Sequence, residues 1–394
     1  NTAYFHAVVN GRRKRNRITR LEKEQGGWCT TEEEFGEEIT HFYNQLFTSS
    51  KPSDFDEILN GIPKTIMEQM NLQLTRPVTE KEIRIAVFSM HPNKSPDPDG
   101  MSPVFFQRFW DIIKVDVVDA IRSFFHTGFL PKAINETLVT LIPKIDNPLN
   151  LVHFRPISLC NVFYKIISKV LVNRLKPCLN SCISYSQAAF VPNRQILDNV
   201  IVAHEYMHWL KSKREGKEGY MAIKLDLSKA YDRVEWNFLY AVLCKMGFAP
   251  LWIRWMHGCL SSVSYSFNVN GVKRGYVSPT RGIRQGDPLS PYLFLFCAEG
   301  LSNLLNKAVS NKQISGVKIA RQGPKVSHLF FADDSLIFCK ANGDEAGRIK
   351  AILEWYGKVS GQQVNINKSA VIFSKRTGSR EKEEERQRLG GMHK

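Results

Sequence analysis

No apolar run in this 394-residue chain approaches the ~20 residues that a membrane-spanning helix needs. A membrane span is therefore not expected. The 8 cysteines include no C-x-x-C pair. Cys178 and Cys182 stand four apart, but no second Cys/His pair at ligand spacing lies near them, which argues against a zinc site. Scattered cysteines in a chain of this length read as buried thiols of a reducing compartment. No signal peptide is visible, and the first residue is Asn1 rather than Met. The expectation is an intracellular protein that is a piece of something longer.

Acidic residues are also in short supply. Lys and Arg number 54 against 38 Asp and Glu, a formal net charge of +16. Such an excess points to a polyanion, and without a dominant basic amphipathic helix nucleic acid is the better match than an anionic membrane. Hydrophobic residues make up 43%, enough for packed globular structure. The length predicts two or three subdomains.

Residues 1–75 read as helical and charged, broken at Gly26 and Gly27. Within "GRRKRNR", Arg12, Arg13, Lys14 and Arg15 are either a solvated face or a nucleic-acid or nuclear-localisation patch. "FGEEITHFYNQLF" has helical apolar spacing, and Thr79 with Glu82 forms a capping box. "FFQRFWDIIKVDVVDAIRSFF" predicts one long amphipathic helix, and "TLVTLIPK" a strand ending in the cation Lys144. "FRPISLCNVFYKIISKVLVNRLKPCL" is a strand or turn running into a basic helix. "REGKEG", residues 214–219, reads as a flexible joint before a fresh core at Tyr220.

"SHLFFADDSLIF" has two short apolar runs around a polar centre, which predicts a hairpin turning near Asp333 and Asp334. Adjacent carboxylates repel, and each loses solvation on burial. Either both are exposed at a surface turn, or they bind a cation. In "YMAIKLDLSKAYDRVEW" an apolar strand closes on Asp226 and turns into a helix. Asp226 is either a helix cap or a third carboxylate at a strand end, where α/β folds place ligands. Three such carboxylates can hold two Mg²⁺ ions about 3.5–4 Å apart, and oxygen donors suit hard cations. In "PTRGIRQGDPLSPYLFLF" the glycines Gly282 and Gly286 permit close backbone approach, and Arg281, Arg284 and Gln285 offer donors. This predicts a ligand-facing loop leading into an apolar helix.

Taken in order, "KSPDPDG", "LIPK", "FRPISLCNVFYKIISKVLVNRLK", "SQAAFVPNRQILDN", "KLDLSKAYDRVEW", "RGIRQGDPLSPYLF", "FADDSLIF" and "SGQQVNINKSAVIFS" resemble the reverse transcriptase region of LINE-type (non-LTR) retrotransposon polyproteins, in a plant-like branch. The likeness covers nearly the whole chain. "NTAYFHAVVNGRRKRNRI" resembles the segment joining that family's endonuclease to its polymerase.

The resemblance implies an α/β (α+β) right-hand polymerase fold with fingers and palm, an antiparallel palm sheet backed by helices, and a thumb largely missing. Residues 1–75 would be a basic linker region, 76–218 the fingers, and 219–375 the palm. Residues 279–300 would form the fingers/palm loop and helix, and 376–394 a charged tail at the start of the primer-grip and thumb region. The implied activity is RNA-directed DNA synthesis, adding dNTPs to a DNA primer on an RNA template with two Mg²⁺ ions, Mn²⁺ being a possible substitute. Asp226, Asp333 and Asp334 would be the metal-binding carboxylates, and Lys368 a general acid toward pyrophosphate. Tyr231 would be a steric gate against ribonucleotides. Lys144 and Arg155 would grip the triphosphate, Gln285 and Gly286 would line the nucleotide, and Arg194 and Asn199 would lie near the template.

The resemblance also implies an endonuclease in cis in the full-length polyprotein, with cytoplasmic synthesis and work in the nucleus. A dead fragment retaining RNA binding and a group II intron maturase-like protein are the alternatives. The chain departs from the family pattern at Asp97 and Asn193, where Gly is usual. Asn is the milder change, because it tolerates left-handed backbone.

Overall fold

A computed structural model describes residues 2–24, 26–93, 99–213, 218–319 and 322–393. The chain forms two compact units. One is Asn1–Ser49, Thr75–Val172 and Leu251–Ser290; the other is Ser50–Leu74, Asn173–Pro250 and Pro291–Lys394. The boundary read after residue 75 lies at the Leu74/Thr75 break between units, and those read after 218 and 375 fall inside the second unit. Residues 1–49 and 251–290 both group with the first unit. Asp97 and residues 214–217 of the expected joint lie outside the described residues.

The first unit is built on a four-stranded sheet in the order Phe154–Cys160, Glu136–Pro143, Ser264–Val269, Val272–Val277, the middle pair parallel. Sequence reading missed the last two strands. Their signal was Asn270-Gly271, with φ of 54° and 99°: positive φ at both central residues is what a tight hairpin turn demands. Helix Glu32–Phe47 starts at a Thr31 capping box. Its Phe35, Ile39, Tyr43 and Leu46 share a core with Tyr265 and Phe267 of the sheet. Tyr43 stacks on Phe267 at 4.8 Å. That burial is what draws the first 49 residues into the unit. The Thr79 capping box forms as expected. The expected long helix is instead two, Pro103–Arg108 and Trp110–Thr127. Phe109, at φ −100° and ψ 15°, departs from helical geometry and breaks the run before the buried Trp110.

The second unit holds an antiparallel sheet in the order His328–Phe331, Asp334–Lys340, Tyr220–Leu225, Ala370–Phe373. Helix Ile196–Ser212 places Tyr206 and Leu210 in one core with Ala222, Leu329 and Phe338. Strand Tyr220–Leu225 is central, so Met221, Ala222, Ile223 and Leu225 are all buried and only Lys224 is exposed. Ala222 is buried with its neighbours because a central strand is covered on both faces. The charged tail forms helix Ser379–Arg388, followed by the buried Leu389 and Met392. All eight cysteines are free and seven are buried. Among the described residues no helix is long and apolar enough to cross a membrane.

Candidate active site

The hairpin turns where the sequence predicts. Phe331 pairs with Asp334, leaving Ala332 and Asp333 as a two-residue loop. Asp333 and Asp334 are both exposed, so neither loses its hydration. Strand Tyr220–Leu225 pairs with Asp334–Lys340, with Leu225 opposite Ser335. The same register carried one step further sets half-buried Asp226 opposite Asp334. The three carboxylate-bearing residues thus lie at one end of one sheet.

Asp226 is pinned by the segment leading to Ala370–Phe373. Its N–H donates to Ser369 Oγ at 3.1 Å, and its carbonyl accepts from Asn365 N at 2.8 Å. Lys368 stands exposed in that same turn. Tyr231 lies parallel to Phe294, ring centres 5.1 Å apart and planes at 5°. Burial first, and then the nearby Asp333 charge, push its phenol well above the usual range.

Carboxylate oxygens are the donors that hard divalent cations take, and Asp226, Asp333 and Asp334 are the residues that could hold them. Among the described residues no three His, Cys, Asp or Glu side chains are already gathered as a metal cluster. The backbone brings the three residues to one end of the sheet.

The remaining expected residues sort differently. On the first unit, exposed Arg155 sits within its strand. Lys144 is just past Glu136–Pro143, its Nζ donating to Val152 O at 3.1 Å. Gln285 is half-buried and Gly286 exposed. Gly286 has φ +118°, and a Cβ there would lie 2.8 Å from Ser158 O. Ser158 N donates to Gln285 O at 2.8 Å, so the loop lies flat on the strand edge.

Its arginines bond the protein itself. Arg284 is buried over the Tyr164 ring at 3.8 Å and bonds Asn135. It pairs at 3.5 Å with buried Asp287, which accepts from Tyr164 at 2.7 Å and Ser168 at 2.6 Å. Arg281 donates to Leu46 O at 2.8 Å. A buried charge must be paired and bonded, and these residues satisfy one another.

On the second unit, Arg194 donates to Ile183, Ser184 and Gln187 carbonyls. Asn199 donates to Ser186 O and Phe330 O. Both brace a loop. Asn193 takes φ 64°, the left-handed conformation foreseen for it. Arg12, Arg13, Lys14 and Arg15 are exposed on helix Thr2–Asn16, which buries no residue. Arg15 meets Asp146 at 3.1 Å.

A family model described as reverse transcriptase (RNA-dependent DNA polymerase) matches residues 142–390. The Transposon TX1 uncharacterized 149 kDa protein of Xenopus laevis is 29% identical over 372 residues, 94% of this chain and 28% of its own length. The Retrovirus-related Pol polyprotein from type-2 retrotransposable element R2DM of Drosophila melanogaster is 27% identical over 282 residues, 69% of this chain and 24% of its own. The RNA-directed DNA polymerase from mobile element jockey of Drosophila melanogaster is 23% identical over 378 residues, 91% of this chain and 38% of its own. The chain therefore spans less than two fifths of each of these relatives.

Proposed function

The chain belongs to the reverse transcriptase (RNA-dependent DNA polymerase) family, and from that premise we propose that it is the polymerase core of a retrotransposon polyprotein, extending a DNA primer on an RNA template with dNTPs. The observation that carries this reading is the register that brings Asp226 opposite the Asp333–Asp334 tip. We assign the antiparallel sheet of the second unit to the palm, and Asp226, Asp333 and Asp334 to the binding of divalent ions, Mg²⁺ or Mn²⁺. When bound, two such ions would lower the pKa of the attacking 3′-hydroxyl and neutralise the leaving pyrophosphate.

The chain's own residues do the rest. The Tyr231 ring fills the space a ribose 2′-hydroxyl needs. Lys144 and Arg155 neutralise the triphosphate, Arg155 with the planar fork that suits phosphate. Gln285 and bare Gly286 let the nucleotide approach the backbone. Lys368, next to the Ser369 that holds Asp226, gives a proton to pyrophosphate. The exposed cations of helix Thr2–Asn16 and the net charge of +16 support contact with a nucleic-acid backbone. An endonuclease in cis and work in the nucleus complete the reading.

The test is primer extension on poly(rA)/oligo(dT) with Mg²⁺ or Mn²⁺, parent beside Asp333→Ala. Synthesis in the parent and none in the variant, with RNA binding kept, is expected. Equal synthesis in both would overturn the metal assignment. No synthesis in either, with RNA bound, would leave RNA binding as the activity of this chain.

A further inference from the structure

The turn that carries Asp333 is built on an unfavourable residue. Ala332 takes φ 54° at the first central position of a two-residue hairpin, where glycine bends at no steric cost. A side chain in this backbone region persists only where its surroundings hold it.

What holds it is Gln187, 1% exposed. Its Oε1 accepts the Ala332 N–H at 3.0 Å and the Ala189 N–H at 3.0 Å. Its Nε2 donates to the Ala332 carbonyl at 3.4 Å. One amide thus meets both backbone polar groups of the residue preceding Asp333. The support behind it is firm. Phe330 N donates to Ser186 O at 2.7 Å, and Ala188 N to Phe330 O at 3.1 Å, so residues 186–188 extend the sheet beyond His328–Phe331. Arg194 donates to the Gln187 carbonyl itself at 2.8 Å. Asn199 donates to Ser186 O and Phe330 O.

We propose that Gln187 is a positioning residue of the carboxylate site, locking the Ala332–Asp333 turn so that Asp333 is presented beside Asp226 and Asp334. The proposal rests on the reading of those carboxylates as metal ligands. Glutamine is the side chain that fits: it reaches the turn from the next strand edge and supplies an acceptor and a donor at once. Alanine at 187 leaves the Ala332 N–H without its acceptor and the left-handed turn without its hold, and Asp333 drifts.

The experiment measures Mn²⁺ affinity by water-proton relaxation, independent of turnover. It compares the parent, Gln187→Ala, Gln187→Ala with Ala332→Gly, and Asp333→Ala. Amide hydrogen exchange at residue 332 is followed in each. Removing a group that orients a metal ligand weakens binding on the order of tenfold or more, and that loss is expected for Gln187→Ala. Ala332→Gly in the same chain should recover most of it, because glycine reaches the turn geometry unaided. The Ala332 amide should exchange slowly in the parent and quickly in Gln187→Ala. Unchanged Mn²⁺ affinity in Gln187→Ala, or a loss that Ala332→Gly does not relieve, would overturn the proposal. Parent-like affinity in Asp333→Ala would instead overturn the carboxylate reading. In that case, or where the parent binds no Mn²⁺, rapid exchange of the parent's Ala332 amide would still refute the clamp.

Discussion

At the scale of single residues, Tyr231 is an aromatic held in place near the carboxylates. Phe294 lies parallel to it and fixes the ring plane, and burial and Asp333 keep the phenol protonated. A rigid neutral ring excludes by shape, so the ring and not the hydroxyl should set sugar selection. Tyr231→Ala should reduce the deoxy-over-ribo ratio of kcat/KM on the order of tenfold or more, while Tyr231→Phe should keep it. Competing dNTP and rNTP incorporation measures this, and an unchanged ratio in Tyr231→Ala would refute the gate. The acids were legible in sequence because two adjacent carboxylates between apolar runs already pose an electrostatic problem. The arginines were not. Arg281 and Arg284 read as donors for a ligand and Arg194 as a residue near the template, yet each spends donors on the protein itself. Which way a guanidinium points is decided by packing across distant segments, which local sequence does not encode.

At the scale of elements, the loop at Gly286 shows how backbone, rather than side chain, can shape a surface. Positive φ and the 2.8 Å approach to Ser158 O both require glycine, for separate reasons. Gly286→Ala should destabilise the fold by about 1–3 kcal/mol and loosen the Ser158–Gln285 hydrogen bond, read as a lower thermal midpoint and faster exchange of the Ser158 amide. A midpoint within error of the parent would mean the strand edge moves aside at little cost. Elements with strong local signals were readable: the Thr79 capping box, the apolar helix Ser290–Ser310 and the two-residue hairpin all form. The helix expected through Phe109 was misread because its apolar spacing continues across a break that only tertiary burial of Trp110 reveals. The parallel pairing of Glu136–Pro143 with Ser264–Val269 joins residues more than a hundred positions apart, and nothing local announces it.

At the scale of the whole molecule, the half-buried Glu299 and the buried His328 set opposing pH dependences, and both contact the loop that carries Gln187. Burial raises the Glu299 carboxyl to about 7, and its Oε2 accepts Ser184 N at 3.1 Å. Burial lowers the His328 imidazole to about 4, and its Nε2 meets Ser186 at 3.0 Å and Ser302 at 2.9 Å. The stability from Glu299 is complete below the ordinary value of 4.5 and is lost as pH rises through about 7, because the folded state holds the proton longer. The stability from His328 is complete above 6.5 and is lost as pH falls through about 4, because only the unfolded state gains the proton. The two slopes oppose between those limits, so the parent should show little net dependence from this pair. Glu299→Gln removes one of them. Its stability relative to the parent should rise as pH goes from 4.5 to about 7, by about 3 kcal/mol at most, and then level off. The net charge of +16 grows as carboxylates protonate and opposes compactness in acid, but equally in both proteins, so the difference between them cancels it. Denaturant unfolding of both across that range measures the difference, and a flat line would mean that Glu299 ionises as freely inside the fold as outside it.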